Sequence, residues 1–584
     1  MFRKNSSSST TAGIGWSIAI TYVLVLASLT GAIYAQSWNL VHLTRGKVWA
    51  SPWNSGQLGN VLDVPGPNYE LAYPGYSIGA IAAKTPNHAR GWGLYAYGER
   101  DDGAHAYTIE SRAYVDESRS DPLEEQVLIK NYNLLDSSIP AEEIAAGAMK
   151  MTEMGMTVHM RNMVWSDPRY DDFVIHEYTI TNTATTTISN FHFSHRAMFQ
   201  ISQMGNAMAG GPSSANIARY GDDKYGWDAT NNLFYVYDDQ SYNAGEMLAS
   251  GTEPTEADKT LYAHGPGPTT GDIGDPANLL DANAATAELL SAAYGTSVIL
   301  DSAGAGSFTN VQHAATGCTP QWCPQRPDHE TNFFNNEMEP PKCLAVQTYQ
   351  QPRMSWDEAN ADASNPDGSF WERQPEIINT CGPFELAAGA SITLTFATVY
   401  GEMDRHKVVA GGVDNVNLLA TESKAALMTN VINCKALFNS GYQIADVAPP
   451  TPTDGENSLT ITATLGGLQV GFPPVSDSYV DPSTGANDLA GYRVYRSTYF
   501  VAGPWTEVAD IPKASATMEG GNIVYLDPDL PLGVGHYYTV TSYDTGGNES
   551  GKVNANRTPV YPERAANLDF PKKVYVVPNP FRIN

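Results

Sequence analysis

Gly75-Tyr76-Ser77-Ile78-Gly79 matches the G-x-S-x-G pattern, in which a strand-to-helix turn strains a serine into exposure as a nucleophile. Its flanks do not support that chemistry. Pro74 abuts the first glycine, and Pro86 follows Gly79 within seven residues, so no helix of useful length leaves the turn. Ser77 therefore reads as part of a glycine-flanked turn. His176-Glu177 opens like the H-E-x-x-H metalloprotease motif, but Ile180 stands where the second histidine belongs. The surrounding alternation is that of a strand, which sends adjacent side chains to opposite faces. His192 and His195 are separated in the same way.

Two further groupings concern metals. Met149, Met151, Met154, Met156, Met160 and Met163 cluster around His159. Thioethers suit Cu(I), yet alternate methionines on a strand also fill irregular cores, and core packing is the favoured reading. In "YGDDKYGWDATNN", Asp222, Asp223 and Asp228 gather hard oxygen donors beside Asn231 and Asn232. Such donors at short spacing are what Ca²⁺ takes. These three aspartates are the candidate ligands of a structural calcium, weighed against the default reading of solvated turns, and no other cofactor is expected. No catalytic residue is assigned. The five cysteines (Cys318, Cys323, Cys343, Cys381 and Cys434) suggest local disulfides with at least one thiol left over.

The elements that must position these groups are mostly strands. Tyrosine, glycine and proline are abundant and only 17% of residues are charged, a balance that favours short strands and tight turns. Period-two runs occur at Gly91–Arg100, Met154–Trp165 and Asn231–Asp239. Asp171–Phe199 reads as a hairpin, and Phe384–Gly401 as two strands joined at "AAGAS". One helix is expected over Asn415–Asn439, where Leu427, Val431, Cys434 and Phe438 recur at helical spacing. The formal charge of −29 argues against nucleic-acid binding.

Arg3 and Lys4, the apolar run Ile14 to Tyr34 and the small Ala35 mark residues 1–35 as an export signal. The run is also long enough for an uncleaved anchor. A large β-rich domain is expected over 36–445, a proline-rich linker over 446–458, and a second unit over 459–560. In the second unit, "LAGYRVYRS", "GPWTEVADI" and "VYLDPDLPLGVGHYYTVTSYDTGGNESG" resemble a bacterial fibronectin type III domain covering about Pro449 to Pro559. That resemblance implies a β-sandwich in which Leu532 and Tyr538 form the corner and Phe472 replaces the usual tryptophan. The closing "VYVVPNPF" is similar to the first strand of the C-terminal sorting domains of type IX secretion cargo, so 561–584 reads as a linker and the start of such a domain. The blocks "LTRGKVWASPWNSGQLGN", "YPGYSIGA", "DPRYDDFVIHEYTITNT" and "YGWDATNNLFYVYDD" resemble large secreted proteins of bacteria that use this system.

The expected fold is thus mainly β: a large antiparallel region with one packing helix, then a sandwich. The expected function is that of a secreted, non-catalytic structural or adhesion protein at the cell surface, with glycans or proteins as partners. Membrane contact is expected only through the export signal or a C-terminal anchor. The alternatives are a secreted polysaccharide-active hydrolase and a calcium-stabilised glycan-binding protein.

Overall fold

The computed structural model describes residues 39–57, 71–75, 87–109, 121–199, 201, 224–228, 230–231, 233–237, 289, 291–301, 307–313, 375–453 and 458–563. The expected export signal, residues 564–584, Ser77, Asp222, Asp223 and Cys318, Cys323 and Cys343 lie outside the described residues. Among those described, no helix is long and apolar enough to cross a membrane.

The mainly β expectation holds. The first strands are β1 (Trp49–Ala50), β2 (Leu71–Ala72), β3 (Asn87–Arg100), β4 (Gly103–Ile109), β5 (Asp121–Lys130), β6 (Glu143–Met151), β7 (Met156–Val164) and β8 (Phe173–Asn182). Next come β9 (Ile188–Phe199), β10 (Lys224–Asp228), β11 (Leu233–Tyr237), β12 (Ala293–Asp301), β13 (Ser307–His313), β14 (Pro375–Leu386) and β15 (Ser391–Glu402). One antiparallel sheet runs β1-β2-β3-β9-β14-β13, with β4 added on β3; the other runs β10-β11-β12-β15-β8-β7-β6-β5.

The second sheet is covered on both faces. Phe173 and Ile175 of β8, with Ala397 and Val399 of β15, meet Leu427, Val431, Cys434 and Leu437 of the helix α1 (Lys424–Asn439). Tyr178, Ile180, Leu394 and Phe396 point the other way, against Phe191 and Phe193 of the first sheet. Period-two geometry divides each strand between two cores, which is why β15 is buried without a break from Leu394 to Gly401. Each such side chain taken out of water stabilises the fold by about 1.5–3 kcal/mol. The helix is shorter than expected. A π-turn at Leu419–Ser423 precedes it, and Leu437 rather than Phe438 is the side chain its last turn buries. Five of the clustered methionines, Met149, Met151, Met154, Met156 and Met160, pack in the inter-sheet core, and Met163 packs beneath the helix.

Asp171–Phe199 is not a hairpin. β8 pairs with β7 and β15, whereas β9 pairs with β3 and β14 in the opposite sheet. The connection is an arch that crosses between sheets, and β14–β15 makes a second arch beside it. The two arches bond to each other: Asn182 N donates to Ala390 O at 2.9 Å and Gly389 N to Asn182 O at 2.9 Å. Asn182 Nδ2 adds bonds to the carbonyls of Thr186 and Leu386. The arches place His176 and His195 face to face in the core, with ring centroids 4.7 Å apart. Cys381 and Cys434 are buried thiols in different cores, and burial raises the pKa of both.

The C-terminal unit consists of β16 (Thr460–Thr464), β17 (Gly467–Phe472), β18 (Leu489–Ser497), β19 (Thr506–Pro512), β20 (Met518–Glu519), β21 (Asn522–Pro528) and β22 (Tyr537–Asp544). Sheets β16-β17-β21-β20 and β19-β18-β22 enclose Leu468, Val470, Phe472, Tyr492, Val494, Ile523, Tyr538 and Val540. Phe472 packs on Tyr492 at 5.4 Å. Leu532 is half exposed, and Leu530 fills the core instead. The Tyr538 hydroxyl donates to Asp527 Oδ2 at 2.8 Å rather than to backbone, and Arg496 holds the same carboxylate. Replacing Tyr538 with Phe removes a buried bond to a charged acceptor and should cost about 1.5–3 kcal/mol. Thermal melting of the variant checks this, and an unchanged melting temperature contradicts it.

Candidate functional site

The proline-rich segment is packed rather than free. Ser542 Oγ bonds the carbonyls of Pro449 (2.9 Å) and Pro450 (2.7 Å), and Thr451 N donates to Asn133 Oδ1 at 2.9 Å. An Arg169 amine donates to Asp446 O at 2.9 Å. The sandwich is thereby pressed onto the loop that follows β7. Two Gly-Lys-Val tripeptides, Gly46-Lys47-Val48 and Gly551-Lys552-Val553, meet that loop. A Cβ on Gly46 would stand 2.8 Å from Trp165 O, and one on Gly551 would stand 2.5 Å from Ser166, so only glycine lets either segment approach.

The first tripeptide belongs to a folded strap. Leu43 and Ala50 bridge each other, and Lys47 N and Val48 N both donate to Asp171 O. Buried Leu43, Val48 and Ala50 root the strap in the core, which leaves residues 44–49 as a projecting turn. Between this turn and the sandwich lies a cleft of about 440 Å³, within the range of small-ligand sites. Thr44, Arg45, Lys47, Trp49, Tyr132, Glu143 and Asp171 line one wall. Trp505 from the β18–β19 loop, with Lys552 and Arg557 after β22, lines the other.

The aromatic surface is held in place. Trp49 Nε1 donates to Gly46 O at 3.0 Å. Gly75, the first glycine of the serine-like motif, lies against the indole: a Cβ there would be 2.1 Å from Trp49 Cδ1. Its N–H donates to Lys47 O at 2.6 Å. The Arg557 guanidinium stands 5.9 Å from the Trp49 ring centroid. Tyr73, two residues before that motif, is buried and stacks on Tyr400 at 5.2 Å.

Four basic and two acidic side chains line the cleft, in a chain whose net charge is −29. Both carboxyls are engaged. Glu143 Oε2 accepts the Thr44 and Arg45 N–H groups at 2.7 and 3.1 Å, and Oε1 accepts the Tyr132 hydroxyl at 2.9 Å. Burial outweighs these bonds and raises its pKa. Asp171 pairs with Lys47 Nζ at 3.0 Å, and burial together with neighbouring Asp172 lifts its carboxyl far above the usual range. Lys47 also meets Asp172 at 3.1 Å. Burial lowers the pKa of Lys552, whose ammonium lies 4.1 Å from the Tyr495 ring centroid and 3.6 Å from Glu549. The arrangement can bind an anionic group beside two indole faces.

Of the described residues singled out by local motifs, Pro74 and Gly75 line this cleft, whereas Asp228, His176, Glu177 and His192 do not. Asp228 closes the β10–β11 turn, accepting the Asn231 N–H at 2.8 Å and its side-chain amide at 3.1 Å. His176 bonds Asn162 (2.7 Å) and Thr398 (3.0 Å), while Glu177 on the opposite face pairs with Arg161 at 2.6 Å. His192 Nδ1 bonds the Asn190 carbonyl at 2.9 Å. The cleft residues were missed because the strap and the sandwich are remote in sequence; the repeated Gly-Lys-Val was the signal that could have joined them.

No family profile and no curated protein matches the chain. Among solved structures, a polysaccharide lyase aligns at 10% identity with a TM-score of 0.24, covering 87% of this chain and 46% of that one. A beta-1,2-glucanase from Parabacteroides distasonis gives 12% identity and a TM-score of 0.15, covering 69% and 35%. An alpha-galactosidase from Geobacillus stearothermophilus gives 9% and 0.21, covering 67% and 43%. The chain thus spans less than half the length of these structures, and at such scores neither fold nor activity follows from them.

Proposed function

We propose that this is an exported, non-catalytic carbohydrate-binding protein of the cell surface, whose junction cleft takes a short acidic oligosaccharide. The observation that carries this reading is the reversal of charge: a strongly acidic chain places Lys47, Lys552 and Arg557 around one cleft with two tryptophans, with Arg45 behind them in a buried pair with Glu142. Indole rings offer flat apolar surfaces to the C–H faces of sugars, and ammonium and guanidinium groups bind carboxylates. The fibronectin-like sandwich supplies one wall and so acts as part of the binding site as well as a spacer.

A glycosidase would need two carboxyl groups free to act on opposite sides of a bond. Glu143 has three donors on it and Asp171 is tied to Lys47, which favours binding over hydrolysis. Calorimetric titration with a uronate oligosaccharide should show saturable binding, weakened by salt, with a neutral oligosaccharide of the same length giving none. Trp505→Ala should weaken binding about 10- to 30-fold, as loss of a tryptophan anchor does. Equal affinity for the neutral sugar, or no effect of Trp505→Ala, would overturn the proposal. Release of shortened sugars by the unmodified protein would replace it with the hydrolase reading.

A further inference from the structure

We propose that Asp446, Asp488 and Asp544, with the buried Asp481 beside them, form a calcium site that fastens the proline-rich segment to the sandwich. Carboxylate oxygens of Asp446, Asp488 and Asp544 lie within 4.8 Å of one another. They come from three separate stretches of chain: the segment after α1, the residue before β18, and the last residue of β22. Proximity of acids alone does not make a site, since exposed carboxylates often gather in solvent. Here Asp544 is buried, and Oδ1 of Asp446 and Oδ1 of Asp488 are shielded from solvent although both residues are only partly buried.

Asp481 is fully buried; its Oδ1 accepts the Ser483 and Thr484 N–H groups, while its Oδ2 is buried with no hydrogen-bond partner. Oδ1 of Asp446 and Oδ1 of Asp488 are buried and unpartnered as well. Tyr479, 8% exposed, faces the four aspartates with a hydroxyl that bonds none of them. Burial, then the charges of Asp481, Asp544 and Asp446, push the Asp488 carboxyl up from its ordinary value. Carboxylates only accept hydrogen bonds, so they cannot satisfy one another, and a cation is the natural complement. The nearby guanidinium of Arg169 is directed to the Asp167 carboxylate and to the backbone carbonyl of Asp446.

Asn548 orders the group. Its Nδ2 donates to Asp446 Oδ2 at 2.8 Å and to Asp544 Oδ2 at 2.9 Å, and its backbone N–H donates to Asp544 Oδ1 at 2.9 Å. Those bonds fix the carboxylate planes from one side, as supporting residues do around metal ligands. The donors are all hard oxygens, without histidine or cysteine, which selects Ca²⁺ over zinc or copper. Ca²⁺ also tolerates the irregular geometry of ligands from three loops better than Mg²⁺, which demands a near-ideal octahedron. This site is distinct from the expected one at Asp228 and independent of what the cleft binds.

The test is thermal melting and calorimetric titration of the full chain after stripping with EDTA. Calcium should raise the melting temperature by several degrees and bind at one site per chain, with magnesium far weaker. Asp488→Asn should lower calcium affinity at least tenfold and abolish the shift. In EDTA the same variant should melt no lower than the unmodified protein, because a repelling charge has gone. Asp446→Asn, on a different segment of the chain, repeats the test should Asp488→Asn not fold. Asp228→Asn should respond to calcium like the unmodified protein. The proposal fails if calcium leaves the melting temperature unchanged, or if Asp488→Asn and Asp446→Asn keep the full response.

Discussion

Replacing Glu142 with Ala should destabilise the protein by about 3–5 kcal/mol, the range for breaking a buried ion pair from one side. Arg45 and Glu142 side chains are 3% and 4% exposed, with Nε and Oε1 3.0 Å apart. The same carboxylate accepts the backbone N–H groups of Asn133 and Ser166. Truncation therefore leaves a buried guanidinium without its balancing charge and strips two N–H groups of their acceptor. The guanidinium also packs 4.2 Å from the Tyr132 ring centroid, so the damage reaches the cleft wall. Urea unfolding followed by tryptophan fluorescence measures the loss. The double variant Arg45→Met, Glu142→Leu should recover most of it, since an apolar pair removes both charges. A loss below about 1 kcal/mol for Glu142→Ala would contradict the argument, because exposed pairs are worth that little.

Acidification should destabilise the large region through His176 and His195. Burial pushes the pKa of His195 down to about 3 and that of His176 well below its ordinary value. Phe396 stacks on His195 at 5.4 Å, and Asn162, Thr398 and Ser297 supply neutral bonds to the two rings. Both rings are neutral in the fold, whereas the unfolded chain binds a proton at each below about pH 6.5. The stabilisation is full above about pH 6.5 and declines as pH falls toward 3. For His195 alone the depression corresponds to about 4–5 kcal/mol across that window. Unfolding midpoints between neutral pH and pH 4 should fall steeply, and His195→Gln should fall less steeply. Parallel pH profiles for the two proteins would sink this account.

Local patterns made the strands legible. Alternation along Gly91–Arg100, Met154–Trp165 and the C-terminal runs reports that one side of each strand is apolar, which depends only on the strand itself. It does not report which sheet receives the strand. β8 and β9 alternate equally well as a hairpin or as an arch; the arch is decided by Tyr178 meeting Phe193 across the core and by Asn182 bonding Ala390, neither visible locally. Leu530 and Leu532 share strand parity, and only the packed sandwich shows which one turns inward. The calcium expectation followed close spacing in sequence, at Asp222, Asp223 and Asp228. The acids that the fold gathers, from Asp446 to Asp544, are scattered in the sequence because loops at one end of a sandwich converge only in space.

The cleft also sets an order of events. Its walls come from the strap at Lys47 and Trp49 and from Lys552 and Arg557, about five hundred residues later. During synthesis or passage through a membrane the early wall exists long before the late one. Contacts of such separation form last and slowly. A chain interrupted before Gly551 would retain the strap, the two large sheets and Trp505 yet lack the Lys552 and Arg557 side of the opposing wall. The full lining of the cleft is then assembled only once residues 552–557 have joined the fold.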